Sequence, residues 1–185
     1  MTENKTANPA PLGLMGFGMT TVLLNIHNAG FFQISAMILA MGFFYGGIAQ
    51  IIAGVLEFKK GNTFGLTAFV SYGSFWLTLV GLIVAPRLGL AEKTPEAFMG
   101  WYLFMWGVFT LFMWFATFKS SRVLQFVFLS LVVLFFMLAA RDWLESSLIG
   151  KIAGWEGIVC GCSAIYLAMA EVINEKYGRI VLPVG

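Results

Sequence analysis

Six apolar runs of helix length set the strongest limit on what this chain can fold into. They cover about residues 10–26, 33–57, 64–85, 96–118, 121–141 and 150–174. A helix rises about 1.5 Å per residue and the hydrocarbon core of a bilayer is about 30 Å thick, so each run can cross a membrane. The alternating ten-residue strands of a membrane barrel are absent from the sequence. We therefore predict an all-α integral membrane protein with six transmembrane helices in a single bundle.

The composition agrees with burial in lipid rather than water. Only 11% of the residues are charged, whereas a soluble domain has about a quarter. The segments between the runs are short, so we expect residues 1–185 to form one transmembrane domain with no separate soluble part. Residues 1–11 carry one acid and one lysine and lack a small-residue cleavage site, which predicts that no signal peptide is removed.

The distribution of lysine and arginine predicts the orientation. An even number of crossings places both termini on the same side of the membrane. That side would carry Lys5, Lys59, Lys60, Lys119, Arg122, Lys176 and Arg179. The opposite side would carry Arg87, Lys93, Arg141 and Lys151. Because cytoplasmic loops are enriched in these residues, we predict that both termini are cytoplasmic.

Charged residues are expected only near the ends of the crossings. Glu57 and Glu171 fall at helix ends, Glu156 falls in the first turns of the sixth run, and His27 ends the first. Proton pumps and ion-coupled carriers keep carboxylates or histidines deep in the membrane. We therefore expect no buried proton relay in this chain.

The sequence also lacks the groupings that catalysis or metal binding requires. No paired acids and no Ser/His/Asp set fall together in it. Cys160 and Cys162 point to different sides of a helix, which disfavours a disulfide or a metal site. We predict no enzyme activity, no catalytic residue, no metal and no cofactor. A net charge of +2 gives no reason to expect a nucleic-acid partner.

The stretch NPAPLGLMGFGMTT, residues 8–21, begins the first run with residues that usually interrupt helices. Asn8 suits an N-cap, and the two prolines fit a first turn, where no intrahelical donor is lost. One helix face then runs from Asn8 through Gly13 and Phe17 to Thr20. A helix N-terminus followed by glycine, an aromatic ring and a hydroxyl suits a small anion or acid that passes a hydrophobic constriction.

Polar residues inside other runs are further candidates for a path. Thr67, Ser71, Ser74 and Thr78 form one stripe of hydroxyls in the third run, beside Tyr72. Such hydroxyls either line a path or bond to their own helix backbone, and the pattern leaves both readings open. Gln50 and Gln125 likewise serve either as links between helices or as ligand contacts. Glycines at four-residue spacing in the second and sixth runs either pack helices tightly or widen a path.

The opening stretch also carries a family resemblance. The signature N-P-A-P-L-G-L followed by x-G-F-G is present from Asn8 to Gly18. FYGGIAQ (44–50), GLTAFVSYGSFW (65–76) and AIYLAMAEVINE (164–175) are similar to the bacterial branch of the same family. The whole chain resembles the acetate uptake transporter family, which comprises bacterial succinate–acetate permeases and yeast acetate–ammonium transporters.

The resemblance implies an assembly and a path. It implies a homo-hexamer in the bacterial cytoplasmic membrane, in contact with lipid, with a separate path through each protomer. It also implies a narrow hydrophobic constriction formed by Phe17, Tyr72 and Leu131. Phe17 and Tyr72 are nominated by their positions in the sequence as well, whereas the role of Leu131 rests on the resemblance alone.

We expect transport of acetate and related small carboxylates, including succinate. The constriction would act as a dewetting gate that selects by size. The expected polar contacts are Asn8, Thr20, Gln50, Ser71 and Gln125. The residues leave open whether the protein is a channel or a proton-linked permease, and whether the anion or the neutral acid moves. A channel for a small neutral solute such as urea or ammonia, and a scaffold or sensor without transport, are the alternatives.

Overall fold

The computed structural model describes residues 6–185, which fold into six helical rods. The rods are α1 (Ala10–Asn28), α2 (Ala36–Lys59), α3 (Thr63–Arg87), α4 (Glu96–Lys119), α5 (Arg122–Leu144) and α6 (Ser147–Tyr177). The five rods from α2 to α6 are long and apolar enough to cross a membrane. α1 is not among those five and has 19 residues. The predicted all-helical architecture with apolar membrane-spanning helices is confirmed.

Side-chain caps define where three of the rods begin. Asn62 accepts a hydrogen bond from the Gly65 amide at 3.0 Å, which caps α3. Ser121 caps α5 in the same way, and Ser146 caps α6 by accepting from the Ile149 amide at 3.4 Å. α6 therefore begins three residues before the predicted start at 150. Each residue in the first half of α6 therefore lies three positions further from the start of the helix than expected.

The middle of α2, from Met41 to Ala49, is π-helical. Such segments are rare and often occur at functional sites. Gly46 lies against the indole of Trp76, where an added β-carbon would approach within 2.9 Å. The hydroxyl of Thr20 in α1 donates to the Met41 carbonyl at 3.5 Å. The widened turn is thus in contact with α1 on one side and α3 on the other.

The rods pack in the order α3, α2, α1, α6, α5 and α4, and each has its main contacts with its neighbours in this order. The backbones of α3 and α4 approach each other closely at few points, so the ring has a seam between them that is bridged by side chains. A groove of about 510 Å³ opens along that seam and is lined mostly by aromatic and methionine side chains of α4.

α1 and α6 pack closely against each other through glycines. A β-carbon added at Gly161 would lie 2.7 Å from the carbonyl oxygen of Gly18. Gly154 faces the backbone at Ala29, and Gly157 faces the side chain of Asn25. These glycines of α6 therefore serve tight packing between helices, which is the role that small residues have in membrane interfaces.

The last residues fold back against the end of the bundle where α1 and α5 begin, which we call the terminal end. Asn174 holds residues 181 and 182 through three side-chain hydrogen bonds of 2.7 to 2.9 Å. The Val123 amide donates to the Val184 carbonyl at 3.1 Å. Val184 packs against an apolar cluster that includes Leu14 and Leu167. This segment covers part of the terminal end.

Candidate functional site

A small cavity lies at the centre of the bundle. Its lining comes from four rods, α1, α2, α3 and α5, and consists of Leu14, Phe17, Gln50, Ala68, Phe69, Tyr72, Val127, Phe128 and Leu131. The cavity has a volume of about 20 Å³, which is room for about one water molecule. A carboxylate with a methyl group does not fit, so the centre of the bundle is closed in this structure.

Phe17, Tyr72 and Leu131 come together at this cavity from three different rods. The rings of Phe17 and Tyr72 are 5.9 Å apart between centroids and tilted by 47°. All three side chains are buried. The structure thus places the three residues at one narrow point, although they are far apart in the sequence.

Tyr72 is held in place by a residue that sequence analysis missed. Its hydroxyl donates to Oγ1 of Thr110 in α4 at 3.0 Å, and Thr110 donates to the Trp106 carbonyl at 2.7 Å. The ring of Phe109 lies 5.5 Å away in an edge-to-face arrangement. The available signal was the threonine in the middle of the aromatic run of α4, since a buried hydroxyl in a membrane requires a partner.

Gln50 provides the amide group in the cavity lining. It is only 1% exposed, and its amide oxygen has no hydrogen-bond partner among the described residues. Buried polar atoms are nearly always paired, because an unpaired one costs about 1–3 kcal/mol. An unpartnered amide oxygen at the cavity therefore indicates a place where a ligand or water is accepted.

Asn8 links three rods at the terminal end. Its amide donates to Oε2 of Glu171 in α6 at 2.9 Å, and its oxygen accepts from Lys60 at 2.8 Å. The same oxygen accepts from the Ala10 amide at 3.2 Å. Pro9 is the N-cap residue of α1, so Asn8, which was predicted to be the N-cap, lies one position before it and still bonds to the first turn.

Glu57 lies beside this network and is completely buried. Asn62 donates to its Oε2 at 2.6 Å. Its Oε1 has no hydrogen-bond partner in the described part of the chain, and the ammonium of Lys60 is 3.9 Å away. The sequence predicted only that Glu57 sits at a helix end, and gave no sign that one of its oxygens is left without a donor.

The other predicted polar contacts lie away from the cavity. Ser71 lines the groove between α3 and α4. Gln125 accepts from Arg122 and donates to the Ser120 carbonyl at the start of α5. Thr20 is completely buried against the π-helical part of α2. Of the five predicted contacts, only Gln50 therefore lines the cavity.

The hydroxyl stripe of α3 is explained largely by backbone bonding. Ser74 donates to the Val70 carbonyl at 2.8 Å, and Thr78 donates to the Phe75 carbonyl at 2.9 Å. Both bonds lie within the helix itself. The stripe thus gives no support to a row of hydroxyls along a path.

The expectation that no acid lies deep in a crossing is wrong for Glu156. It is the tenth residue of α6 and accepts a hydrogen bond from Ser130, which lies well inside α5. Its other oxygen is buried and has no partner among residues 6–185. The prediction failed because α6 begins three residues earlier than the sequence suggested.

No group of three or more His, Cys, Asp or Glu residues in the described part of the chain could hold a metal ion. Cys160 is buried, Cys162 is exposed, and both are free thiols. The chemistry available at the centre of the bundle is therefore that of aromatic rings, aliphatic side chains and one amide.

A closed, mostly apolar cavity inside a bundle of membrane-spanning helices is the architecture of a membrane transport protein. The family model described as the GPR1/FUN34/yaaH family matches residues 1–185. The chain belongs to this family, which confirms the resemblance carried by the signature at Asn8–Gly18.

Three known proteins are similar over nearly the whole chain. The succinate-acetate/proton symporter SatP of Escherichia coli (strain K12) is 64% identical over 100% of this chain and 98% of that protein. Ammonia transport outward protein 2 of Saccharomyces cerevisiae is 35% identical over 97% of this chain and 66% of that protein. A solved structure described as the bacterial acetate channel SatP has a TM-score of 0.97 at 65% identity, over 98% of this chain and 100% of that chain.

Proposed function

We propose that this protein transports acetate and related small carboxylates, including succinate, across the bacterial cytoplasmic membrane. The observation that carries the proposal is the central cavity, where Phe17, Tyr72 and Leu131 surround a space next to the amide oxygen of Gln50, which has no hydrogen-bond partner among the described residues. The Escherichia coli relative is named a succinate-acetate/proton symporter, and the solved relative is described as an acetate channel. The same cavity is compatible with a proton symporter and with a channel.

Phe17, Tyr72 and Leu131 form the gate of the path. A cavity of about 20 Å³ bounded by apolar side chains excludes ions by dewetting while it is closed. Passage of acetate requires these side chains to move apart by roughly the thickness of a methyl group. Selection by size follows, because a larger acid requires a larger displacement of three buried side chains.

The polar contacts on the path are Gln50 at the gate and Asn8 at the terminal end. Thr20 contributes through the π-helical part of α2, which its hydroxyl contacts at Met41. Ser71 lines the groove between α3 and α4, and Gln125 bonds to Ser120 at the start of α5. Neither is among the residues that line the cavity, so both are left out of the proposed path.

The rods form one six-helix domain, with α1 as the sixth crossing and both termini in the cytoplasm. The excess of lysine and arginine on the side of the termini supports that orientation. Large apolar side chains are exposed along α2, including Phe44 and Ile52. Such a surface suits lipid or a neighbouring protomer, and a homo-hexamer would bury part of it.

The test is uptake of labelled acetate by liposomes that contain the purified protein, with the membrane potential clamped and the pH equal on both sides. Protein-free liposomes give the passive leak, and urea and methylammonium serve as competing substrates. Acetate uptake above the leak that follows the potential identifies the anion as the conducted species. Uptake that ignores the potential identifies the neutral acid or a proton–anion pair. Uptake of urea or methylammonium alone contradicts the proposal.

A further inference from the structure

Two buried oxygens without hydrogen-bond donors lie on the same face of α2. Oε1 of Gln50 and Oε1 of Glu57 both lack a partner within residues 6–185, and both residues are at most 1% exposed. Seven residues separate them, which is about two helical turns or 10 Å along the axis. Gln50 lies at the gate, and Glu57 lies between the gate and the terminal end.

One carboxylate oxygen of Glu57 is hydrogen-bonded, and the other has no hydrogen-bond partner among the described residues. Asn62 both caps α3 and donates to Oε2 of Glu57, so this oxygen is fixed. Gly65 in the first turn of α3 lies against the side chain, where an added β-carbon would approach Cγ of Glu57 within 2.9 Å. An ionised carboxylate only accepts hydrogen bonds, so the free oxygen requires a donor.

The charged groups around Glu57 come from two rods. Lys60, next to the end of α2, is 3.9 Å from Oε1 and is itself hydrogen-bonded to Asn8. α6 contributes Glu171, which accepts from Asn8, and the exposed Glu175 one turn later. The first turn of α3 and the described start of α1 contribute Asn62, Gly65 and Asn8, which are uncharged. In this group of residues, Lys60 is therefore the one cation beside the carboxylates of Glu57, Glu171 and Glu175.

We propose that Glu57 accepts the proton of an undissociated carboxylic acid that has passed the gate. This rests on the proposed function, and it names the group that separates proton and anion. The cavity lining contains no cation, so the neutral acid is the form that the gate admits most readily. Its O–H group supplies the donor that Gln50 and Glu57 both lack.

The proton transfer balances without any further reactant. The O–H bond of the substrate breaks, the proton bonds to Oε1 of Glu57, and the electron pair stays on the substrate as a carboxylate. The anion then leaves past Lys60, a cation at the terminal end. Water takes the proton from Glu57 and restores its charge. In the reverse direction Glu57 returns the proton to an incoming anion.

The experiment measures acetate uptake by proteoliposomes at a series of pH values that are equal inside and outside. Total acetate is adjusted so that the concentration of neutral acid stays constant, and the leak of protein-free liposomes is subtracted. Because a carboxylate accepts a proton only in its ionised form, we expect the wild-type rate to rise with pH along the series. We expect Glu57→Gln to lose this rise.

Two further variants make the result decisive. Glu175→Gln removes an exposed carboxyl of the same region and keeps the rise. Glu57→Asp keeps a carboxylate but withdraws it by one methylene, so we expect it to keep the rise at a lower rate, and it decides the question if Glu57→Gln does not fold. A rise that survives unchanged in Glu57→Gln, an unchanged rate in Glu57→Asp, or absence of the rise in the wild type overturns the proposal. Absence of any wild-type uptake above the leak contradicts the proposed function instead.

Discussion

The hydroxyl of Tyr72 donates a hydrogen bond to Oγ1 of Thr110, with 3.0 Å between the two oxygens. Thr110 passes the bond on to the Trp106 carbonyl within its own helix. Tyr72, a residue of the proposed gate in α3, is thereby tied to α4 across the seam where the two helix backbones have few close approaches. We infer that this hydrogen bond, together with the packing of Tyr72 against Trp106 and Phe109, positions the ring at the cavity.

Replacement of Thr110 by valine tests the link. Thr110→Val keeps the shape of the side chain and removes the acceptor of the Tyr72 hydroxyl, which leaves a buried donor unpaired at a cost of about 1–3 kcal/mol. We expect a lower melting temperature in detergent and a gate that admits longer acids, such as butyrate, faster than the wild type. Identical thermal stability and identical substrate range in both proteins would show that the bond does not position the ring.

Phe17→Ala enlarges the cavity at its narrowest point. Truncation removes the ring that faces Tyr72, so we expect uptake of butyrate relative to acetate to increase. The matched control is Phe126→Ala, since Phe126 is 48% exposed on the outer surface of α5. Both ratios are measured with labelled acids in proteoliposomes, and an equal change in the two variants would remove Phe17 from the gate.

Gly161→Ala places a methyl group at the contact between α1 and α6, 2.7 Å from the Gly18 carbonyl oxygen. Because this oxygen belongs to the backbone, the helices must separate, and we expect a clear loss of thermal stability. Gly81→Ala is the control, since nothing lies within 4 Å of a β-carbon at that position in α3. The control should be neutral or stabilised by up to about 1 kcal/mol, the usual gain of alanine over glycine in a helix.

Glu156→Gln distinguishes the roles of Glu57 and Glu156. Glu156 contacts Ser130 and does not line the cavity, and in the proposed mechanism only Glu57 exchanges a proton with the substrate. We expect Glu156→Gln to keep both the rate of acetate uptake and its pH dependence. The measurement is the same series at constant neutral acid, and loss of the pH-dependent rise in this variant would move the proton site from Glu57 to Glu156.

The sequence correctly predicted the features that the lipid environment dictates. Runs of apolar residues between charged clusters predicted the helical rods, because in lipid the backbone must satisfy its own hydrogen bonds. The side-chain pattern of residues 41–49 suits an α-helix as well as a π-helix, so the wider turns were not predicted. Their formation depends on tertiary contacts with Trp76 and Thr20 that a local pattern does not contain.

The candidate site was predicted only in part for a similar reason. Phe17 and Gln50 stood out because an aromatic ring after a glycine-rich turn and an amide within an apolar run are unusual locally. Ser71 looked equally suitable, yet its helix turns it toward α4 and the groove rather than toward the cavity. Which face of α3 points inward is set by packing against other rods, and hydroxyl spacing is the same for either orientation.

The π-helical part of α2 makes the number of residues between Met41 and Gln50 a requirement in itself. Each residue of an α-helix advances the next by about 100°. Deleting one residue from this segment would either tighten it to α-helical turns, and so move its glycines relative to Trp76 and Thr20, or turn Gln50 and Glu57 together away from the positions they now occupy, while every side chain stayed chemically the same. Substitutions at the outward-facing positions of this segment should be tolerated far more easily than a single-codon deletion anywhere within it. Natural variants of the gene are accordingly expected to carry substitutions in this segment and to keep its number of residues.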